Sequence, residues 1–162
     1  MNKPTLTLSL FLLTVLPALA QPTMVKRVDD WGVYSYESGG KTTCYTLTVP
    51  LAQAPSNVDH GRNFFIVAPG GKKGYEPQAR MGYSLKADSR VKVEIDDQTF
   101  WLFGKDDTAW VQQEERRPEM VRAMRAGRQM TVHATSRRGT ETTYTYSLNG
   151  VTAALKQVGQ CN

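Results

Sequence analysis

The chain has 162 residues, a formal net charge of +5 and a hydrophobic content of 40%. This length suits one domain with a hydrophobic core of its own, and the sequence shows no internal repeat and no low-complexity tract. Beyond the first 20 residues, no segment is long and apolar enough for a membrane-spanning helix. These features exclude a repeat protein and a protein with several transmembrane helices.

The first 20 residues have the pattern of a cleavable signal peptide. Lys3 supplies a positive charge, residues 6–16 (LTLSLFLLTVL) are apolar, and Ala18 and Ala20 place small residues where a signal peptidase reads the chain. The apolar run is shorter than the roughly 20 residues that a membrane span needs. We therefore expect cleavage after Ala20 and export of residues 21–162 as a single domain.

The sequence contains two cysteines, Cys44 and Cys161. In an exported protein an even number of cysteines indicates a disulfide, because the compartment is oxidising. Two free thiols are the alternative. Neither a CxxC redox motif nor a complete metal site can be built from these two residues alone, so we expect them to be bonded to each other.

Most of the chain alternates apolar and polar residues, which predicts β-strands. The segments are WGVYSYE (31–37), CYTLTV (44–49), NFFIVA (63–68), VKVEID (91–96), TFWLF (99–103), DTAWVQ (107–112), QMTVHATS (129–136) and TTYTYSL (142–148). NFFIVA and TFWLF are nearly continuous apolar runs, and we interpret them as strands covered on both faces. Turn residues separate the segments. The pattern predicts a mainly β protein, either an antiparallel β-sandwich or a partly closed β-barrel.

Two segments have helical rather than strand periodicity. The first covers about residues 118–127, with Pro118 in the first turn and Gly127 after the last. The second covers about residues 150–158, with apolar residues at positions i, i+3, i+4 and i+7. The fold class therefore includes two short α-helices.

Positive charge is concentrated in the first helix and the hairpin that follows it. Residues 116–138 contain seven arginines and one acidic residue, Glu119. If the helix covers the outer face of TFWLF with its methionines and Val121, its arginines point outward. The prediction is one patch that binds an anion or a partner, made of Arg122, Arg125, Arg137 and Arg138. The alternative is a solvated surface whose arginines pair with nearby glutamates.

The segment ATSRRGTETTYTYSL (134–148) carries Arg137 and Arg138 between two strongly alternating strands. Gly139 can adopt the positive φ that a hairpin turn often needs, so we expect a hairpin here. A rigid hairpin can also present both arginines to a ligand.

The sequence gives only weak evidence for a catalytic site or a phosphate-binding site. The glycine-rich segment APGGKKG (68–74) lacks the spacing and the hydroxyl residue of a P-loop. Asp59 and His60 lie together in a polar segment, but no G-x-S-x-G motif accompanies them. His133 falls on the threonine face of its strand, where we expect a surface residue. We expect no cofactor and no metal, and the chain is not expected to be an enzyme.

Several segments resemble the invasion-associated locus B family of Gram-negative bacteria. They are DDWGVYSYESGGKTTCYTLTVP (29–50), PSNVDHGRNFFIV (55–67) and ATSRRGTETTYTYSLNGVTAALKQVGQC (134–161). The resemblance implies a small exported β-rich protein of the periplasm or envelope. It also implies an association with virulence, through host-cell entry, in some pathogens. It supplies no catalytic residues.

Three functional hypotheses follow. The first is an envelope protein that binds another envelope protein or an anionic component such as lipopolysaccharide or acidic phospholipid, and not nucleic acid. The second is a small periplasmic hydrolase or metal-dependent enzyme that uses Asp59 and His60. The third is a structural or stress-protective envelope factor without a dedicated ligand.

Overall fold

The computed structural model describes residues 21–71 and 74–161, so the expected signal peptide lies outside the described residues. The described ranges form eleven strands and two helices. The strands are β1 (Thr23–Val28), β2 (Trp31–Ser38), β3 (Lys41–Thr48), β4 (Ala52–Ala54), β5 (Phe64–Gly70), β6 (Gly74–Arg80), β7 (Arg90–Ile95), β8 (Gln98–Lys105), β9 (Thr108–Val111), β10 (Gln129–Thr135) and β11 (Glu141–Ser147). The helices are α1 (Arg117–Ala126), which follows a 3₁₀ turn at Glu114–Arg116, and α2 (Val151–Cys161).

All eleven strands belong to one antiparallel sheet, in the order β1-β2-β3-β5-β6-β9-β8-β7-β10-β11-β4. The sheet is not closed, but it curls until distant strands meet. Trp31, at the start of β2, donates its indole N–H to the carbonyl oxygen of Ser147, at the end of β11, over 3.1 Å. This architecture confirms the predicted mainly β, antiparallel, partly closed fold with two helices.

The alternating segments place their apolar residues in the core. In β7 the side chains of Val91, Val93 and Ile95 are fully buried. The same holds for Tyr144 and Tyr146 in β11. Because strand side chains alternate between faces, the intervening residues point to the outside of the curled sheet.

The two continuous apolar runs differ from our expectation, because each has only one face in the core. In β8, Phe100 and Leu102 are fully buried, whereas Trp101 and Phe103 are 38% and 47% exposed. Residues 63–68 alternate in the same way between buried and half-buried positions. In this protein, an uninterrupted apolar run in the sequence therefore does not mean that both faces of the strand are buried.

Helix α1 does not cover the outer face of β8, so that prediction is wrong. The helix packs on β6 and on α2, and its apolar residues join the same core cluster as the strands. Met120, Val121, Ala123 and Met124 are buried, as the periodicity predicted. On the outer face of β8, the Arg90 guanidinium instead lies 4.4 Å from the Trp101 ring centroid.

Strands β1, β4 and β6 were not predicted. Sequence patterns fail for β1 and β4 because both are sheet edges with exposed side chains. Strand β6 has the sequence GYEPQAR, in which Pro77 argues against a strand and no apolar alternation is visible. Its pairing with β5 and β9 comes from tertiary structure rather than from local preference.

A disulfide joins Cys44 in β3 to Cys161 at the end of α2, as expected from the cysteine count. Helix α2 extends three residues beyond its predicted end and carries its apolar face into the core. In addition, the Tyr75 hydroxyl donates to the carbonyl oxygen of Leu155 over 2.8 Å. The C-terminal helix is therefore attached to the sheet by packing, a hydrogen bond and a covalent link.

Candidate functional site

The hairpin between β10 and β11 forms one wall of a cavity at the end of the curled sheet. Ser136 accepts a hydrogen bond from the Gly139 N–H over 2.8 Å and donates its own N–H to Thr140 over 2.9 Å. Gly139 has a φ of 87°, which confirms the expected hairpin and the expected positive φ. Arg137 and Arg138 occupy the two central positions of this turn.

The hairpin is fixed to the segment between β6 and β7. The Arg137 N–H donates to the carbonyl oxygen of Ser84 over 2.8 Å, and the Lys86 N–H donates to that of Thr135 over 2.9 Å. Ser136 also forms an isolated β-bridge with Leu85. The backbone that carries the two arginines is therefore held on both sides, which limits the entropy lost when a ligand binds.

We name this surface pocket the hairpin cavity. Its volume is about 450 Å³, which lies within the range of about 300–1,000 Å³ common for small-molecule sites. Residues from three segments line it, namely the β4–β5 connection, the β6–β7 connection and the hairpin. They are Val58, Asp59, Tyr83, Ser84, Ser136, Arg137, Arg138, Thr140 and Thr142.

The two arginines provide unneutralised positive charge at the cavity. Both side chains are exposed, and no carboxylate of the described residues forms an ion pair with either guanidinium. A guanidinium presents planar N–H donors that match the oxygens of a carboxylate or phosphate. The hairpin cavity can therefore attract and orient an anion.

Hydroxyl groups supply the remaining polar lining. Thr142 donates its hydroxyl to the carbonyl oxygen of Ala134 over 3.1 Å, so the 2.6 Å contact with Tyr83 is a bond that the tyrosine donates. This bond holds the Tyr83 side chain at the cavity lining. Ser136 accepts a bond from the Thr140 N–H at its hydroxyl oxygen over 3.2 Å, which leaves its proton for an acceptor in the cavity.

Asp59 contributes a carboxylate to the same lining. One of its oxygens accepts the Gly61 N–H over 2.9 Å, which orients the side chain and leaves the second oxygen for another donor. No ion pair links Asp59 to Arg137 or Arg138, so the cavity lining offers a carboxylate and two guanidinium groups that do not neutralise each other by direct contact. Asp59 was identified from sequence as a partner of His60, but the structure assigns it to this cavity.

His60 lies behind the cavity and is 8% exposed. The carbonyl oxygen of Pro55 can only accept, so Nε2 carries the proton and donates over 2.8 Å. In the neutral ring Nδ1 then accepts the Tyr144 hydroxyl proton over 2.9 Å. Burial raises the pKa of Tyr144, which keeps this donor protonated. Both ring nitrogens are therefore occupied by protein groups.

His133 lies on the outer face of the sheet, where the sequence placed it. Its Nε2 donates to the Glu94 carboxylate over 2.8 Å, and the Thr143 hydroxyl lies 3.2 Å from its Nδ1. Lys92 also donates to Glu94 over 2.9 Å. These contacts explain His133 as part of a cross-strand polar network.

The four arginines of the expected basic patch line different cavities. Arg122 and Arg125 are exposed on α1, which precedes β10, whereas Arg137 and Arg138 follow it. Seven strand residues separate the two ends of β10, or roughly 23 Å at about 3.3 Å per residue. The two pairs therefore flank β10 along the chain and line different cavities, and the single patch stays a prediction.

The pair on α1 borders other cavities. Arg125 lines a cleft of about 1010 Å³ between the ends of α1 and α2, together with Arg128 and Lys156. This cleft is larger than the hairpin cavity, but its lining lacks a carboxylate and an aromatic ring. Arg116 and Arg117, by contrast, are neutralised by ion pairs with glutamates.

Sequence reasoning identified the hairpin but missed the opposite wall. Tyr83 and Ser84 lie in a segment without periodicity, between an unpredicted strand and β7. A Gly-Tyr-Ser sequence there is compatible with any surface loop, so no local signal pointed to a site. Only the hydrogen bonds between the β6–β7 connection and the hairpin bring these residues together.

Two features are absent from residues 21–71 and 74–161. No helix in this part of the chain has both the length and the apolar character to cross a membrane. Nor do three or more histidine, cysteine, aspartate or glutamate side chains converge there in an arrangement suited to a metal ion.

Comparison with known proteins identifies the fold and the family. The crystal structure of invasion associated protein B from Bartonella henselae is similar, with a TM-score of 0.62 and 13% sequence identity. The match covers 88% of this chain and 96% of that protein, and at this identity it establishes a likeness of fold. No curated protein matches. The family model for invasion associated locus B (IalB) protein matches residues 31–159, and the chain therefore belongs to the IalB family.

Proposed function

We propose that this protein is an exported, non-enzymatic protein of the periplasm or cell envelope that binds an anionic ligand in the hairpin cavity. The observation that carries the proposal is the pair of unpaired arginines, Arg137 and Arg138, on a hairpin that is hydrogen-bonded into the cavity wall. The ligand is an anionic component of the envelope or an acidic surface of another envelope protein.

The arrangement of the candidate catalytic residues favours binding over catalysis. A general base must reach its substrate through a free nitrogen or oxygen. His60 is buried and uses Nε2 for Pro55 and Nδ1 for Tyr144. Asp59 reaches the cavity, but no histidine of the described residues lines it. The Asp59–His60 pair thus supports the cavity wall instead of forming a catalytic pair.

Export is part of the proposal and has separate support. The signal-peptide pattern of residues 1–20 predicts cleavage after Ala20, and the Cys44–Cys161 disulfide is typical of a protein that folds in an oxidising compartment. Fractionation of cells that produce the full chain, followed by mass determination of the mature protein, tests it. A cytoplasmic protein that retains residue 1 would contradict this part.

The binding claim is tested by retention of envelope components on immobilised protein at low ionic strength. We expect wild-type protein to retain a component that Arg137→Gln/Arg138→Gln loses. Retention should also fall as salt rises, because exposed charges are screened over about 8 Å at physiological ionic strength. The matched control is Arg122→Gln/Arg125→Gln, which removes the same charge from the opposite end of β10.

Equal retention by both double variants and the wild type would contradict the proposal. So would loss of retention only in the α1 variant, because that result would assign binding to the cleft beside Arg125. Thermal unfolding of each variant, monitored by circular dichroism, establishes that a loss of retention does not result from unfolding.

A further inference from the structure

We infer that the hairpin cavity binds an acidic or phosphorylated saccharide, that is, a ligand that carries both an anionic group and several hydroxyls. The inference rests on the proposed function and names the chemistry of the ligand. It comes from the lining of the cavity, where two guanidinium groups, one carboxylate, several hydroxyls and one aromatic ring occur together.

The carboxylate of Asp59 distinguishes this ligand from a simple anion. Asp59 and an inorganic anion would repel each other in the same cavity, so the carboxylate weakens the binding of phosphate or acetate. A saccharide hydroxyl can instead donate to the free oxygen of Asp59 while its anionic group meets Arg137 and Arg138. One ligand can then bind both the carboxylate and the two guanidinium groups.

The volume and the hydroxyls agree with a ring-sized ligand. A cavity of about 450 Å³ is large for an inorganic anion and suitable for one or two sugar rings. Ser84, Ser136 and Thr140 supply hydroxyls that can donate to or accept from the ligand. Their mixed capacity suits a polyol, whose hydroxyls also act both as donors and as acceptors.

The wall opposite the hairpin is flat and rigid. Tyr83 donates to Thr142 over 2.6 Å, and its hydroxyl lies 3.3 Å from that of Tyr144. Tyr144 is in turn bonded to the buried His60. The bond to Thr142 holds the Tyr83 side chain in place, and its ring can pack against the C–H face of a sugar ring.

The test measures binding of matched probes to the mature chain, residues 21–162, by isothermal titration calorimetry at low ionic strength. The probes are glucuronate, glucose and acetate, together with a hexose monophosphate and inorganic phosphate. We expect glucuronate to bind at least about tenfold more tightly than acetate, and the hexose monophosphate at least about tenfold more tightly than inorganic phosphate. A tenfold ratio of affinities needs about 1.4 kcal/mol, and a hydrogen bond to a charged group such as Asp59 contributes about that much. Glucose alone should give no measurable heat.

Three variants separate the contributions of the carboxylate, of one hydroxyl and of the two guanidinium groups. Asp59→Asn keeps an acceptor for the Gly61 N–H, and we expect it to weaken saccharide-anion binding about tenfold while phosphate binds equally well or better. Ser84→Ala should weaken saccharide-anion binding and leave phosphate unchanged. Arg137→Gln/Arg138→Gln should abolish binding of every probe.

Each alternative outcome has a defined meaning. If acetate and phosphate bind as tightly as the saccharide anions, the ligand class is wrong and the proposed anion-binding function stands. If an acidic tripeptide binds more tightly than either saccharide anion, the partner is a protein segment, which overturns the inference. If none of the anions, the tripeptide included, binds to folded wild-type protein, both the inference and the proposed function fail.

Discussion

Removal of the Cys44–Cys161 disulfide should lower the stability of the fold substantially. The cross-link spans 117 residues of sequence. For a loop of this length the chain-entropy relation gives about 16 cal/mol/K, or about 5 kcal/mol at room temperature. In a chain of this size each kcal/mol changes the melting temperature by about 2–4 °C, so the expected decrease is about 10–20 °C.

Cys161→Ser is the appropriate variant because it removes the cross-link at an exposed position. Cys44 is fully buried, and as a free thiol it still fills its place in the core. The free energy of unfolding is measured by guanidinium titration of wild-type and variant protein, monitored by far-UV circular dichroism. Wild-type protein with its disulfide reduced should match the variant.

A difference below about 1 kcal/mol would refute this reasoning. It would mean that the Val151, Ala154, Leu155 and Val158 face of α2, together with residual structure in the unfolded chain, already restricts the ends that the disulfide joins. The expected result includes fraying of the last turn of α2 in the variant, which amide hydrogen exchange would detect.

Three further predictions concern individual side chains. The Tyr146 hydroxyl is buried without a hydrogen-bond partner among the described residues, so Tyr146→Phe should raise the free energy of unfolding by about 1 kcal/mol. Tyr144→Phe breaks the bond to His60 and should lower the free energy of unfolding by about 1–3 kcal/mol. Both values are measured by chemical denaturation, and a loss of stability in Tyr146→Phe would contradict the first expectation. Phe100→Ala should cost about 3–5 kcal/mol and Phe103→Ala less than about 1 kcal/mol, because only Phe100 lies in the core; equal costs would mean that the outer face of β8 is covered. Lys92 and His133 hydrogen-bond Glu94 and hold its pKa below the ordinary carboxyl value, so this stabilisation is present above the ordinary pKa and is lost as pH falls through the lowered pKa. Glu94→Gln should therefore reduce the difference in stability between neutral and acid pH, and an unchanged difference would show that the network contributes nothing.

The sequence predicted the parts of the fold whose local patterns match their environment. Strands β7, β10 and β11 alternate cleanly because one face of each meets the core, and α1 and α2 have apolar stripes for the same reason. Strand β6 lacks such a pattern, since Pro77 and several polar residues are held there by neighbouring strands on both sides. The pairing of β6 with β5 and β9 therefore depends on the tertiary structure of the sheet and not on the local sequence of β6.

The candidate site was predictable only in part. Arg137, Arg138 and Gly139 indicate a hairpin that presents charge, and this local prediction was confirmed. The joint patch with Arg122 and Arg125 stays a prediction, because proximity in sequence does not show where the two pairs lie relative to each other in the fold. The role of Tyr83 depends on tertiary hydrogen bonds that no local pattern encodes.

The most direct test of saccharide-anion binding in the hairpin cavity is a nuclear magnetic resonance titration of ¹⁵N-labelled mature protein with glucuronate at low ionic strength. The account predicts saturable shifts in the amide signals of residues 136–140, of Tyr83 and Ser84, and of Asp59, with the signals of residues 117–128 and 149–156 unchanged. These shifts should vanish in Arg137→Gln/Arg138→Gln. Shifts confined to residues 117–128 and 149–156, around Arg125 and Lys156, or no shifts at any concentration that preserves the fold, would contradict it.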